Sequence, residues 1–178
     1  MIDFARSRPA LFIASLVAVG ALARLLPHAP NASPVAAIAL FAGWATGRAT
    51  LGALAAALVM IASDLIIGGH EPGVMATVYL AIAAPAVIGP LLRRLPNVQL
   101  RFGGALAGAA VSSLAFYAST NAAVWAFSGM YPATADGLAA SYLAGLPFLR
   151  FTLAGDLIWT LAFFGAAALV DQTRAIAR

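Results

Sequence analysis

Six apolar runs, separated by proline, glycine and charge clusters, divide this chain at approximately 9–26, 34–48, 51–67, 74–92, 102–127 and 151–170. A helix that crosses the hydrocarbon layer needs about 20 apolar residues, with a range of roughly 17 to 25. The second run is marginal by that measure. Between the fifth and sixth runs, 137–148 is apolar but too short to cross, which predicts a short helix within an outer loop. Nothing is left over for a soluble domain. The expected fold is therefore all-α: one integral membrane domain over 1–178, with six transmembrane helices and a short helix in the outer loop between spans five and six.

Composition agrees with that partition. Of the 178 residues, 63% are hydrophobic and only 9% are charged, with a mean hydropathy of +0.95. A soluble domain is about half apolar and about a quarter charged. Too little polar surface remains here to cover a water-soluble globule. The opening MIDFARSR, ALFIASLVAVG and Ala21-Leu22-Ala23 also resembles a signal peptide with a small-residue cleavage site. The apolar run continues through Leu25 and Leu26, beyond that cut, which favours a retained helix.

All ten basic residues are arginine. With a cytoplasmic N-terminus and six crossings, the inner segments hold Arg6, Arg8, Arg48, Arg93, Arg94, Arg101, Arg174 and Arg178, and the outer segments hold only Arg24 and Arg150. Eight against two is the positive-inside pattern, and it places both termini in the cytoplasm. The net charge of +4 thus reads as topology beside anionic lipid and calls for no nucleic acid.

The same topology gathers the remaining polar residues on the outer face. RLLPHAPNASP (24–34) lies there, as do SDLIIGGHEPG (63–73) and the stretch from STNAAVWAFSGMYPAT to LPFLRFTLAGD (119–156). They carry both histidines, His28 and His70, and four of the six acids: Asp64, Glu71, Asp136 and Asp156. Asp64 falls about one turn before the end of its span and Asp156 about one turn into the last. Ionisable groups at membrane depth are costly and pair with one another or face a watery cavity. Arg24 with Asp64, and Arg150 with Asp156, are the natural pairs, serving either to pin helix ends or to contact a ligand. Trp125, Tyr131, Tyr142 and Phe148 suit an interfacial belt or the flat walls of an organic-ligand site.

Several chemistries are excluded or disfavoured. Without lysine there is no Walker-type nucleotide loop and no retinal Schiff base. Without cysteine there is no disulfide and no thiol chemistry. His28 and His70 lie 42 positions apart with no HxxxH or HExxH spacing, so no resident metal is expected. A binding protein rather than an enzyme is expected. The enzymatic alternative acts on a lipid or isoprenoid head group, with His28, His70, Asp64 and Asp156 as acid, base or metal ligands.

The order RLLPHxPNxSP, SDLxxGxH and MYPxTxxGLxxxYxxxLPFxRxTxxGD resembles a family of small six-span bacterial membrane proteins. That family is related to the substrate-binding S components of energy-coupling-factor (ECF) vitamin transporters, with the BtuM-like cobalamin transporter group the most similar. The likeness runs from about 23 to 171, and its third stretch is the most specific. It implies an S-component-like bundle in the bacterial cytoplasmic membrane, binding a corrinoid such as cobalamin on the extracytoplasmic side. Another vitamin or cofactor precursor is the alternative cargo. Its partners would be the lipid bilayer, the vitamin, and an ECF T component with two ATPase subunits. The substrate-binding residues it implies are His28, Asn31, Ser33, Asp64, His70, Tyr131, Tyr142, Arg150 and Asp156.

Ala10, Ala14 and Ala18 match the small-residue spacing with which such proteins dock their T component. Some cobalamin-binding members of the group coordinate cobalt through a cysteine, which this chain lacks. His28 or His70 would then be the cobalt ligand, imidazole being a good one.

Overall fold

The structure, a computed structural model, describes residues 1–69 and 71–170 in full and the helical backbone of 171–176. Expectations on the side chains of His70, Arg174 and Arg178 lie outside the described residues. The order is α1 (Ile2–Ser7), α2 (Pro9–Leu25), α3 (Val35–Thr46), α4 (Ala49–Ile67), α5 (Pro72–Ala83), a 3₁₀ turn (Ala84–Val87), α6 (Ile88–Leu92), α7 (Val98–Phe127) and α8 (Ala135–Ile176).

Local chemistry sets these limits. Pro9 and Pro72 open α2 and α5 at positions where the missing N–H costs nothing. Glu71 and Asn97 cap α5 and α7 by accepting from the backbone N–H of Val74 and Leu100, at 2.9 and 2.8 Å. Pro85 cannot donate, so the fourth apolar run passes through a 3₁₀ turn between α5 and α6.

Four helical stretches, Ala49–Ile67, Pro72–Leu92, Val98–Phe127 and Ala135–Val170, are long and apolar enough to cross a membrane. Large side chains that a soluble protein would bury, such as Leu22, Leu65, Leu80 and Leu161, point outward. The chain is a helical membrane protein. α2 and α3 are shorter apolar helices, of 17 and 12 residues. α4 lies between α2 and α5, α5 between α4 and α7, and α7 between α5 and α8. Inside this arc sits α3, against α4, the 3₁₀ turn, α6 and α8.

The short outer helix expected at 137–148 does not stand alone. It is the first part of the 42-residue α8, which runs on through Pro147 into the last span. The proline removes one helical hydrogen bond, and on its N-terminal side the helix is tied along α7. Tyr117 Oη donates to the carbonyl of Tyr142 (2.7 Å), Ser141 Oγ to that of Asn121 (2.8 Å) and Tyr142 Oη to that of Ala118 (2.9 Å).

At one end of the bundle, Phe12, Phe41, Trp44, Phe163 and Phe164 form a ring cluster with neighbouring centroids 4.9–6.0 Å apart. There Arg93 Nη1 donates to the carbonyls of Trp44 and Ala45 at 3.3 and 3.4 Å, tying α6 to the end of α3. Elsewhere α3 meets its neighbours through small residues: Ala39, Ala42, Ala45, Ala55 and Ala56 are all fully buried. The tightest approach is at Gly89, where any Cβ would collide with the backbone of Leu40 and Trp44. Gly104 and Gly108 of α7 likewise face Leu92 and Ile88, so that pair serves packing within the molecule.

Backbone cannot swing aside as a side chain can. Gly89→Ala is therefore expected to destabilise by about 2 kcal/mol, lowering the unfolding midpoint by roughly 4–8 °C. Gly103→Ala, where a Cβ meets nothing within 4 Å, should not lower it. Thermal unfolding in detergent compares the two.

Candidate functional site

The proline-rich loop after α2 is fastened to α8. Trp159 Nε1 donates to the carbonyl of Ala32 at 3.3 Å. Gly155 makes that approach possible, since a Cβ there would stand 2.7 Å from Ala32 Cα. Asn31 turns the chain with φ 60°, a left-handed conformation that Asn tolerates better than most residues. His28 Nδ1 lies 2.7 Å from the carbonyl of Leu26. A carbonyl only accepts, so Nδ1 carries a hydrogen, and the neutral tautomer of that kind has Nε2 as its acceptor.

So held, the loop walls a cavity of about 370 Å³ between the helices, lined by Arg24, His28, Asn31, Ser33, Thr152 and Asp156 on its polar side. Met60, Val78, Ile82 and Phe116 supply apolar wall. A second compartment of about 270 Å³ shares Asn31, Val78, Phe116 and Thr152 with it and reaches Asn121 and Phe148. Below Asp156, Leu40, Pro85 and Ala109 line a small gap with no room for a water, which forms the floor.

Two carboxylates near this cavity have opposite surroundings. Asp64 is fully engaged: Oδ1 pairs with Arg24 Nη1 at 2.9 Å, and Oδ2 accepts from Tyr79 Oη at 2.9 Å. Arg24 Nη1 also lies 2.7 Å from Ser63 Oγ and 2.8 Å from Met60 Sδ. This network links α2, α4 and α5. The expected Arg24–Asp64 pair is present, and it is Arg24 rather than Asp64 that lines the cavity. Asp156 is only 4% exposed and accepts from Ser113 Oγ at 2.6 Å on Oδ2.

The expected Arg150–Asp156 pair does not form. Arg150 is exposed, with its guanidinium 4.5 Å above the Phe151 ring. Both residues belong to one continuous helix, and six positions along it leave side chains roughly 120° apart. Tyr142 lies in the α7–α8 seam, its ring 5.7 Å from that of Tyr117, and neither it nor Tyr131 lines either compartment. Of the residues expected to bind substrate, the structure brings His28, Asn31, Ser33 and Asp156 to one cavity. Asp64 stands behind Arg24, while Tyr131, Tyr142 and Arg150 are elsewhere.

Ala10, Ala14 and Ala18 are exposed, opposite the buried Phe12, Ile13 and Leu16 of α2. Among the described residues, no group of three His, Cys, Asp or Glu stands close enough to hold a metal ion. Ser112, Ser113, Phe116 and Thr152 escaped the sequence reading. Their signal was helical spacing within apolar spans: Ser112 with Phe116, and Thr152 with Asp156, each one turn apart.

Fold and cavity together define a helical membrane protein with an open, largely apolar cavity that carries a few polar groups and a buried carboxylate. Residues 5–177 match a family of unknown function (DUF6580), and the chain belongs to that family. No curated protein and no solved structure matches it.

Breaking a buried ion pair on one side leaves an uncompensated charge, whereas replacing both partners removes it. Arg24→Met should therefore destabilise by about 3 kcal/mol. The double variant Arg24→Met/Asp64→Leu should recover more than half of that loss, and Arg150→Ala should lose nothing measurable. Unfolding in detergent compares the three.

Proposed function

We propose that this chain is a solute-binding membrane subunit of the S-component type, taking a vitamin or cofactor precursor from outside the cell. The observation that carries the reading is the cavity itself, in which a buried carboxylate, hydroxyls and an amide meet apolar walls behind a fastened loop. Small-molecule sites are built in this way, with a few placed polar groups in a largely apolar concavity.

The direction of opening is supported by charge. Arg6 and Arg48 line one recess together, and Arg93 holds the same end of α3. The cavity lies at the opposite end, with Arg24 and His28. By the positive-inside rule the arginine-rich end is cytoplasmic, so the cavity faces outward. Six crossings with both termini inside then follow, with α2 and α3 as the two short ones. In a bacterial cytoplasmic membrane, the exposed Ala10, Ala14 and Ala18 would offer a close-packing face to a T component, with two ATPases supplying energy.

Size bears on the cargo. About 370 Å³ lies at the lower end of the roughly 300–1,000 Å³ of ligand pockets, which suits a compact vitamin or precursor. A corrinoid macrocycle, the cargo of the BtuM-like group, would have to extend through both compartments and the loop mouth. His28 Nε2 would be its axial ligand among the described residues.

Calorimetric titration of detergent-purified protein with thiamine, riboflavin, biotin, cobinamide and cobalamin tests this reading. Saturable one-to-one binding of one member is expected. His28→Ala, Asn31→Ala and Thr152→Val should each weaken it about three- to tenfold, the worth of one hydrogen bond. Tyr131→Phe and Arg150→Ala should leave it unchanged. Chemical conversion of a lipid or isoprenoid head group, with silence across the panel, would replace a transporter subunit with an enzyme.

A further inference from the structure

We infer that the cavity takes a nitrogenous organic cation, one that offers several N–H donors on a flat group, as an amidinium or aminopyrimidinium does. This rests on the solute-binding reading and specifies its ligand. It is drawn from two independent features of the cavity, its charge balance and the direction of its hydroxyl groups.

The charge balance is uneven. Arg24 and Asp64 neutralise each other at 2.9 Å, and Tyr79 and Ser63 complete that network. His28 donates from Nδ1 to the carbonyl of Leu26. Asp156 remains, 96% buried by area, facing the cavity. Among the described residues only Ser113 bonds it, on Oδ2, and no cation from α2, α3, α4, α5 or α7 comes within 4 Å. A carboxylate out of water needs a counter-charge or a set of donors, and here a ligand is the group placed to bring one.

The hydroxyls point the same way. Ser112 Oγ donates its single hydrogen to the carbonyl of Gly108 at 2.7 Å, and Thr152 Oγ1 donates to that of Phe148 at 3.1 Å. Each oxygen is then left with lone pairs only. Ser112, Thr152 and Asp156 all line the same cavity, so its deep end is a surface of acceptors closed below by Leu40, Pro85 and Ala109. Beside Ser112, Thr152 and Asp156 an anionic group would meet repulsion and a neutral acceptor would find no donor; the donors of Arg24, Asn31 and Ser33 stand on the loop side of the cavity. A flat cation with several N–H groups satisfies Asp156 and both hydroxyls while its face rests on Phe116, an arrangement that also attracts cations.

The test uses one ring carrying four different head groups. Benzamidinium, benzylammonium, benzyl alcohol and benzoate are titrated into the full chain in a neutral detergent, with binding read by saturation-transfer NMR and calorimetry. Benzamidinium is expected to bind at least tenfold more tightly than benzyl alcohol, with benzylammonium between them and benzoate not binding. Asp156→Asn keeps the shape and the Ser113 bond, and should weaken benzamidinium about tenfold or more. Thr152→Val should weaken it a few-fold. The preference among head groups is read on the unaltered protein, so the inference stands or falls even if a variant does not fold.

Equal or tighter binding of benzoate, no effect of a folded Asp156→Asn, or no binding by any of the four overturns it. The two readings fail separately. A vitamin that binds without dependence on Asp156 keeps the transport reading and removes the cation. A charge-selective cavity with no vitamin affinity keeps the cation and removes the vitamin.

Discussion

Helix α3 is enclosed by protein along nearly its whole length, and the other helices are arranged around that enclosure. From Val35 to Ala45 only Ala36 is not fully buried, and Ala36 faces the cavity. In lipid, where no hydrophobic drive separates helix from solvent, such close burial depends on dispersion contacts between small residues. Gly89 brings the α6 backbone against Leu40 and Trp44, and fully buried alanines do the same for α4. A helix surrounded in this way need not span the hydrocarbon layer, because its ends meet protein rather than acyl chains. Twelve residues rise about 18 Å, and the proline-rich loop continues the chain at the N-terminal end of that short helix.

That geometry explains why the loop is so polar and so stiff. Irregular backbone at membrane depth is tolerated where it lines a cavity or is buried in protein. Here Trp159 and Gly155 hold Ala32 against α8, while Asn31, Ser33 and His28 face the space within. The two acids then divide their work by environment. Asp64 is matched on both oxygens and fastens three helices together; Asp156 keeps acceptor capacity toward the cavity.

Much of this was visible in the order of residues. Hydropathy located the apolar segments, and four of them appear as helices long enough to cross a membrane. Arg24 and Asp64 were recognisable as possible partners because each stood among apolar neighbours at the outer end of its span, the first and the third. Arg150 and Asp156 looked equally matched, and failed because α8 starts at Ala135 and carries both on one rigid turn-by-turn spiral. The run at 137–148 was too short to cross by itself, and it proved to be the first part of one continuous α8, packed along α7 through Ser141 and Tyr142. The inward role of Ser112 and Thr152 was hidden for another reason. A serine or threonine in an apolar helix usually bonds only its own backbone, and where its oxygen then points depends on helix rotation.

The dry floor below Asp156 has an electrical meaning. Where an aqueous recess reaches partway into a membrane, the potential falls mainly across the insulating remainder, here the layer of Leu40, Pro85 and Ala109. One elementary charge moved across the whole drop changes energy by about 2.3 kcal/mol per 100 mV. For the proposed cation in the proposed outward-opening recess, little of that drop would have been traversed, and an inside-negative potential would act on it mainly across the floor. On that reading the closed layer is where voltage would act on a bound cation, and occupancy of the recess would be nearly insensitive to it.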